Sequence, residues 1–365
     1  MDAEATSANG GRGDFFAVDR HAWAHVCGLG MNAAITYLVL ASGTGGDNRT
    51  TSWSVNAVEK YTSVSRPRAN DALQALSRGG LVRHKKTGKR PQYEIIAAIE
   101  VPNCKDAQAE AQWVWLPNAI VTGASNETPP IELIRQSGNL AALRLFVDLY
   151  AAQSLAADCG VDWRQLRRTS ERTKVGEYGA YVIFGFEIGG LETFTTAPFV
   201  APHLTGKREK VETNGTTIWR DAGMSSFWAA LKVLTSTGLV EIVEHLIEGT
   251  GAEAEILHPY GINDGEELEQ EVAAAAHQAG YALLNDWRRD VGDKYPDRWL
   301  VPVLAHIAGV ELVGIFRTRY RPRTRSTAAW FVRKGEWAEW KRRYEDLGRK
   351  ACGETDQQTV VAKAA

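Results

Sequence analysis

The chain has 365 residues, 44% hydrophobic and 24% charged, with 34 glycines and 12 prolines. That ordinary globular usage excludes disorder, collagen and coiled coil for its bulk and predicts two or three domains. Lys and Arg number 42 against 44 Asp and Glu, a net of −2, so affinity for nucleic acid would have to come from local patches. No stretch of about 18 apolar residues is free of charge, which argues against a membrane span. The acidic start, Met1-Asp2-Ala3-Glu4, does not read as a signal peptide. Cys27, Cys104, Cys159 and Cys352 are far apart, giving neither metal spacing nor a disulfide framework, and a reducing cytoplasm is the expected compartment.

In chain order, residues 1–13 read as a flexible tail and 14–100 as a first domain. A connector over 101–130 contains the loop sequence Ser125-Asn126-Glu127-Thr128-Pro129-Pro130. A second domain is expected over 131–262, a third over 263–350, and a second tail over 351–365. Charge separates sharply along this order. From Lys60 to Tyr93 nine basic residues face one acid, Asp71. From Glu241 to Glu271 there are ten acids and no Lys or Arg, and from Arg317 to Lys350 twelve basic residues face four acids. The near-zero total therefore conceals two basic blocks suited to a polyanion.

The first basic block carries a helical pattern. Residues 32–41 are apolar enough for a buried helix, entered through Asn32. Ser54 caps a short helix over 54–61, and Ser65 a second, with Pro67 in its first turn. Ala69, Ala72, Leu73 and Leu76 recur at i, i+3, i+4 and i+7, one apolar stripe. Asn70, Asp71, Gln74 and Arg78 fall opposite, with Ser65, Arg66 and Arg68 near the N-terminus. Gly79-Gly80 stops the helix. Two β-type runs then flank a tip rich in cations: Arg83, Lys85, Lys86, Lys89 and Arg90.

This order over residues 20–96 resembles the winged helix-turn-helix superfamily. The resemblance implies that residues 66–77 enter the DNA major groove and that the wing, 83–92, contacts backbone or minor groove. The side chains suit those roles. Asn, Gln and Arg pair with base edges, at ~1–3 kcal/mol of discrimination each, and wing cations neutralise phosphates. The competing reading is a winged helix that binds only protein.

Residues 72–82 recur at 230–240 with a constant offset of 158: Ala, Leu, Leu, Gly, Leu and Val coincide. Phe227, Ala230, Leu231 and Leu234 repeat the stripe, and residues 141–150 resemble the helix at 33–41. A second, diverged winged helix with an insertion of some fifty residues is expected. Its strand runs into Glu241, Glu244 and Glu248, which would repel DNA. The insertion opens on Arg164, Arg167 and Arg168, either phosphate contacts or a solvated helix face. The expected fold is thus mainly α with small β-hairpins (α+β): tandem winged helices plus a basic C-terminal α/β segment.

In the third segment an acidic, alanine-rich helix is expected over 265–289 and a helical piece over 302–308. Arg317, Arg319, Arg321, Arg323 and Arg325 alternate with other residues, an Arg ladder if the segment is a strand. Trp337, Trp340 and Tyr344 form a stripe on a final helix, suited to core or dimer packing.

No P-loop, G-x-S-x-G, H-E-x-x-H or C-x-x-C pattern is present, and neither cofactor nor metal is expected. His21 and His25, and Asp286 and Asp290, are i, i+4 pairs without a telling third ligand. Tyr320, as a nucleophile for nicking or joining DNA, stays open. The sequence points to a non-enzymatic, sequence-specific double-stranded DNA-binding protein of a bacterium or mobile element, a transcription regulator or a replication initiator. Tandem winged helices with a basic C-terminal part resemble plasmid replication initiators in domain order. The alternative is a winged-helix interaction subunit of a DNA-associated or defence complex. A homodimer or protein partner would bind through the second winged helix and the Trp-rich C-terminus.

Overall fold

A computed structural model describes residues 14–88, 91–101, 110–124, 127–154, 160–187, 199, 203–213, 215–249, 253–284, 297–307, 309–321 and 325–353, with the side chains of 325–332 left aside. Lys89, Arg90, Arg323, the Asp286/Asp290 pair, Cys104, Cys159 and the two tails proper lie outside the described residues. The chain forms two compact units. One is Met1–Gln153 with Phe199–Val240 and Thr318–Thr324; the other is Ser154–Pro198 with Glu241–Arg317 and Arg325–Ala365. The segments 131–262 and 263–350 each contribute to both.

The first unit is built on the helix Met31–Ser42, ten of whose residues are buried. Its N-cap is Gly30 at φ +95°, not Asn32; a Cβ there would strain the backbone. The helices Val55–Thr62 and Arg66–Arg78 pack on it. Ala69, Ala72, Leu73 and Leu76 are the buried residues of the latter, as their spacing predicts. Strand Thr50–Thr51 pairs with Gln92–Ile95, which pairs with Val82–Lys86, giving a three-stranded antiparallel sheet. Phe15–Asp19 pairs separately with Trp113–Pro117. Buried Asp19 caps the helix Arg20–Gly28 through the His21 amide and also accepts the amide of Ala98 at 2.7 Å.

The offset-158 repeat encodes one local structure twice. The helices Arg66–Arg78 and Ala222–Ser236 both end on a left-handed glycine, Gly80 at φ +72° and Gly238 at +66°. Each is closed by a leucine amide reaching five residues back, Leu81 to Leu76 at 3.0 Å and Leu239 to Leu234 at 2.9 Å. Phe227, Ala230, Leu231 and Leu234 are buried. Around this shared cap the copies diverge. The strands Arg208–Thr213 and Thr216–Asp221 form a ribbon that leads directly into Ala222–Ser236, whose N-terminus Asp221 caps. In chain order the ribbon thus stands where the first copy has its helix Val55–Thr62. The following strand, Val240–Glu248, is no free wing. It lies inside a four-stranded sheet, between Glu255–Pro259 and Val310–Thr318, with Arg167–Thr169 at the far edge.

The expected mainly α fold is therefore corrected to α+β, with about 44% helix, 31% strand and six small antiparallel sheets among the described residues. Tandem winged helices are not what the second copy forms. Strands arise where helix or loop was expected. Residues 302–304 end the strand Arg298–Leu304, which pairs with Tyr181–Glu187 and, through it, with Glu171–Tyr178. The basic insertion is strand at Arg167–Thr169, not a helix face. In the strand Arg298–Leu304 the β-branched Val301 and Val303 recur at period two, and Pro302 is tolerated because this is an edge strand. Residues 328–332 belong to the helix Arg325–Ala351. Trp337 and Tyr344 on that helix join a core with Val272, Ala276, Phe186 and Leu312, so their stripe is core packing.

Candidate nucleic-acid interface

The helix Arg66–Arg78 has one stripe committed to the core, and the opposite face carries the chemistry. Ser65, Arg66, Arg68, Asn70, Asp71, Gln74 and Arg78 are all exposed. Ser65 occupies the N-cap without a side-chain cap bond, and the first turn, at the positive end of the helix dipole, carries no acidic residue of its own. Arg66 Nε lies 2.7 Å from Glu59 Oε2, an exposed pair of the kind worth ~0–1 kcal/mol and readily exchanged for a phosphate. Arg78 Nε reaches its own helix at the Gln74 carbonyl, 3.4 Å away. Arg68 has no acidic partner among the described residues.

The adjoining hairpin exposes Arg83, Lys85 and Lys86. Its electrostatics centre on Glu94, a residue the sequence reading passed over. Glu94 lies opposite Arg83 in the register and is 3.5 Å from it. It also takes Arg49 at 3.1 Å and Lys85 at 3.9 Å. Lys85 has a second partner in the Thr50 hydroxyl at 3.3 Å. Part of the wing charge is thus compensated at the base of the hairpin, while Lys86 stays without an acidic partner among the described residues. Counting back from the turn, Lys86 against Gln92, would have placed Glu94 opposite His84; a bulge between His84 and Lys86 shifts it onto Arg83. Arg49 immediately precedes Thr50–Thr51, a strand too short to recognise in the sequence.

The remaining sequence candidates are dispersed. Arg164, Arg167 and Arg168 lie in the other unit. Arg164 and Arg167 stack on Trp163 at 4.5 and 5.4 Å, and Arg164 donates to the Ala254 carbonyl at 2.8 Å. Arg168 is committed to an ion pair with buried Glu244 and does not present a free cation to phosphate. The Arg ladder does not form, because the strand ends at Thr318 and Arg317 is wholly buried. Arg319 pairs with Glu127 at 2.9 Å, Arg321 is half-buried, and Arg325 opens the final helix. The Tyr320 hydroxyl donates to Glu127 at 2.5 Å, and burial together with that carboxylate pushes the phenol up to about 12. The neutral phenol is therefore the resting form.

Two exposed features were not singled out in the sequence. Phe15, Trp113 and Trp115 stand partly exposed on one two-stranded sheet, with Phe15 edge-on to Trp115 at 5.3 Å. Trp219, on the ribbon, is 66% exposed. Among the described residues no cluster of His, Cys, Asp and Glu is placed to hold a metal ion, and no helix is long and apolar enough to cross a membrane. Comparison with protein-family models, curated proteins and solved structures found no match.

Proposed function

We propose that this chain is a sequence-specific double-stranded DNA-binding protein, a transcription regulator or replication initiator of a bacterium or mobile element, that reads DNA with the helix Arg66–Arg78. One observation carries the reading. A single helix buries its apolar stripe and presents Arg66, Arg68, Asn70, Gln74 and Arg78 together, beside a hairpin exposing Arg83, Lys85 and Lys86. A major groove admits such a helix, and these side chains match base edges and phosphates. The element order from Met31 to Ile95 is that of a winged helix. Its reader therefore resides in the first unit, and the diverged second copy has a structural part.

The test is selection from a random duplex pool. An enriched motif that protects a footprint supports the proposal. Repeated sites then favour an initiator, and one palindrome a dimeric regulator. The second reading, an interaction subunit, is favoured by the exposed Phe15, Trp113 and Trp115, since aromatics concentrate at protein interfaces. No enrichment, together with salt-resistant capture of a protein partner lost on Trp115→Ala, would decide for it.

A further inference from the structure

The second unit contains a cavity of about 420 Å³, a volume within the ~300–1,000 Å³ of small-molecule sites. Its lining is chiefly apolar. Strands supply Leu246, Leu257 and Val303, the turn after Leu304 supplies Ile307, and the helix Arg325–Ala351 supplies Trp340 and Leu347. The polar groups are few and unevenly engaged. The Tyr344 hydroxyl donates to Nε2 of buried His258 at 2.8 Å, and His258 Nδ1 is fixed on the Pro259 carbonyl at 2.8 Å. The phenol proton is thus spent within the wall, which suits an apolar ligand body.

The charged lining residues, Arg343, Asp346 and Lys350, are all exposed on the last turns of the helix, at the rim. Arg343 is paired with Glu339 at 2.5 Å and stacks on Trp340 at 5.0 Å. Asp346 is paired with Arg349. Those two pairs cancel. Lys350 is left with no acidic partner among the described residues. One uncompensated cation over an apolar cavity fits one negative charge on an apolar body.

We propose that this cavity binds a small apolar monocarboxylate, aliphatic or aromatic, with its hydrocarbon part between Leu257, Val303 and Leu347 and its carboxylate on Lys350. The site shares no residue with the DNA reader and stands independently of that reading.

The test is calorimetric titration of the full chain with octanoate, octan-1-ol and octylamine, equal in chain length and different in head-group charge. Octanoate is expected to bind at least about tenfold more tightly than octanol, a difference of about 1.4 kcal/mol, and octylamine more weakly than either. Lys350→Gln should bring octanoate to the level of octanol and leave octanol unchanged. Leu347→Trp, which fills the cavity, should abolish binding of both. If that variant does not fold, the exposed Lys350→Gln still decides. The proposal is overturned by any of four results: no saturable octanoate heat below its micelle concentration, equal affinity for acid and alcohol, an unchanged preference in Lys350→Gln, or a folded Leu347→Trp that still binds.

Discussion

Arg317 donates two hydrogen bonds from Nη1 to the Glu269 carboxylate, at 2.7 and 2.9 Å, and both side chains are wholly shielded from solvent. Arg317 Nη2 also lies 2.8 Å from His245 Nε2, and Nδ1 of that ring is held by the Val243 carbonyl at 2.9 Å. Burial, reinforced by the Arg317 charge, holds the imidazole well below its usual range, so Nε2 accepts from the guanidinium. Glu269 additionally closes the capping box of its helix by accepting the Glu266 amide at 2.8 Å. Removing one partner strands a buried charge, at ~3–5 kcal/mol, whereas replacing both with apolar residues avoids that penalty. Glu269→Leu is therefore expected to lower stability in urea unfolding by about that amount. The Glu269→Leu/Arg317→Met double variant should recover most of the loss. A single variant within about 0.5 kcal/mol of wild type, the range of ordinary surface changes, would refute the role of the pair.

His258 makes stability depend on pH with a definite sign. Burial pushes its imidazole down to about 4 from 6.5. Between those values the unfolded chain holds a proton that the folded chain excludes, so stability rises with pH across the window. It is complete above the unfolded value and declines as pH falls toward about 4, by up to about 3 kcal/mol. His258→Gln should be less stable near neutrality, having lost the bond to Tyr344, yet show a shallower loss on acidification. Urea midpoints above and within the window check this. Equal slopes for the two proteins would remove His258 from the account.

The first unit was more legible in the sequence than the second, for a physical reason. A helix with one buried stripe writes its period into consecutive residues, and Ser65, Pro67 and Gly79-Gly80 mark its ends locally. The repeat was legible at its glycine cap, because Gly80 and Gly238 meet the same left-handed requirement. What surrounds the cap depends on partners far away in sequence. Residues 302–304 become strand because Tyr181–Glu187 lies beside them, about 120 positions earlier. Arg317 looks like one more cation in a ladder. Its burial is accounted for by Glu269, 48 residues away, and His245, 72 away. Glu94 was overlooked because a lone acid among cations resembles dilution, although cross-strand register makes it the partner of Arg83.

Glu94 also sets an expectation for binding. Its single charge is shared by Arg49, Arg83 and Lys85. Glu94→Gln releases that hold, so affinity for any duplex should increase and the slope of log K against log salt should steepen, by ~0.9 for each further phosphate neutralised. Lys86→Ala should change both in the opposite direction. Salt titrations on cognate and random duplexes measure both variants. If Glu94→Gln left affinity and slope unchanged, this hairpin would not face phosphate.

Reading and anchoring should separate on the helix itself. Asn70 and Gln74 are exposed one turn apart on the face opposite Ala69, Leu73 and Leu76. Neither carries net charge, so neither contributes to counterion release, but both can pair with adenine edges in a major groove. Replacing either with Ala should cost ~1–3 kcal/mol on the selected site, little on random DNA, and leave the salt slope intact. Arg68→Ala should instead weaken both duplexes and flatten the slope by ~0.9 if it holds one phosphate. Competition gel shifts with the two duplexes at two salt concentrations separate the outcomes. Equal losses on selected and random DNA for Asn70→Ala and Gln74→Ala would show that this helix anchors without reading. Specificity would then have to reside elsewhere, for which the exposed ribbon bearing Trp219 is the next element to mutate, since a two-stranded ribbon also fits a major groove.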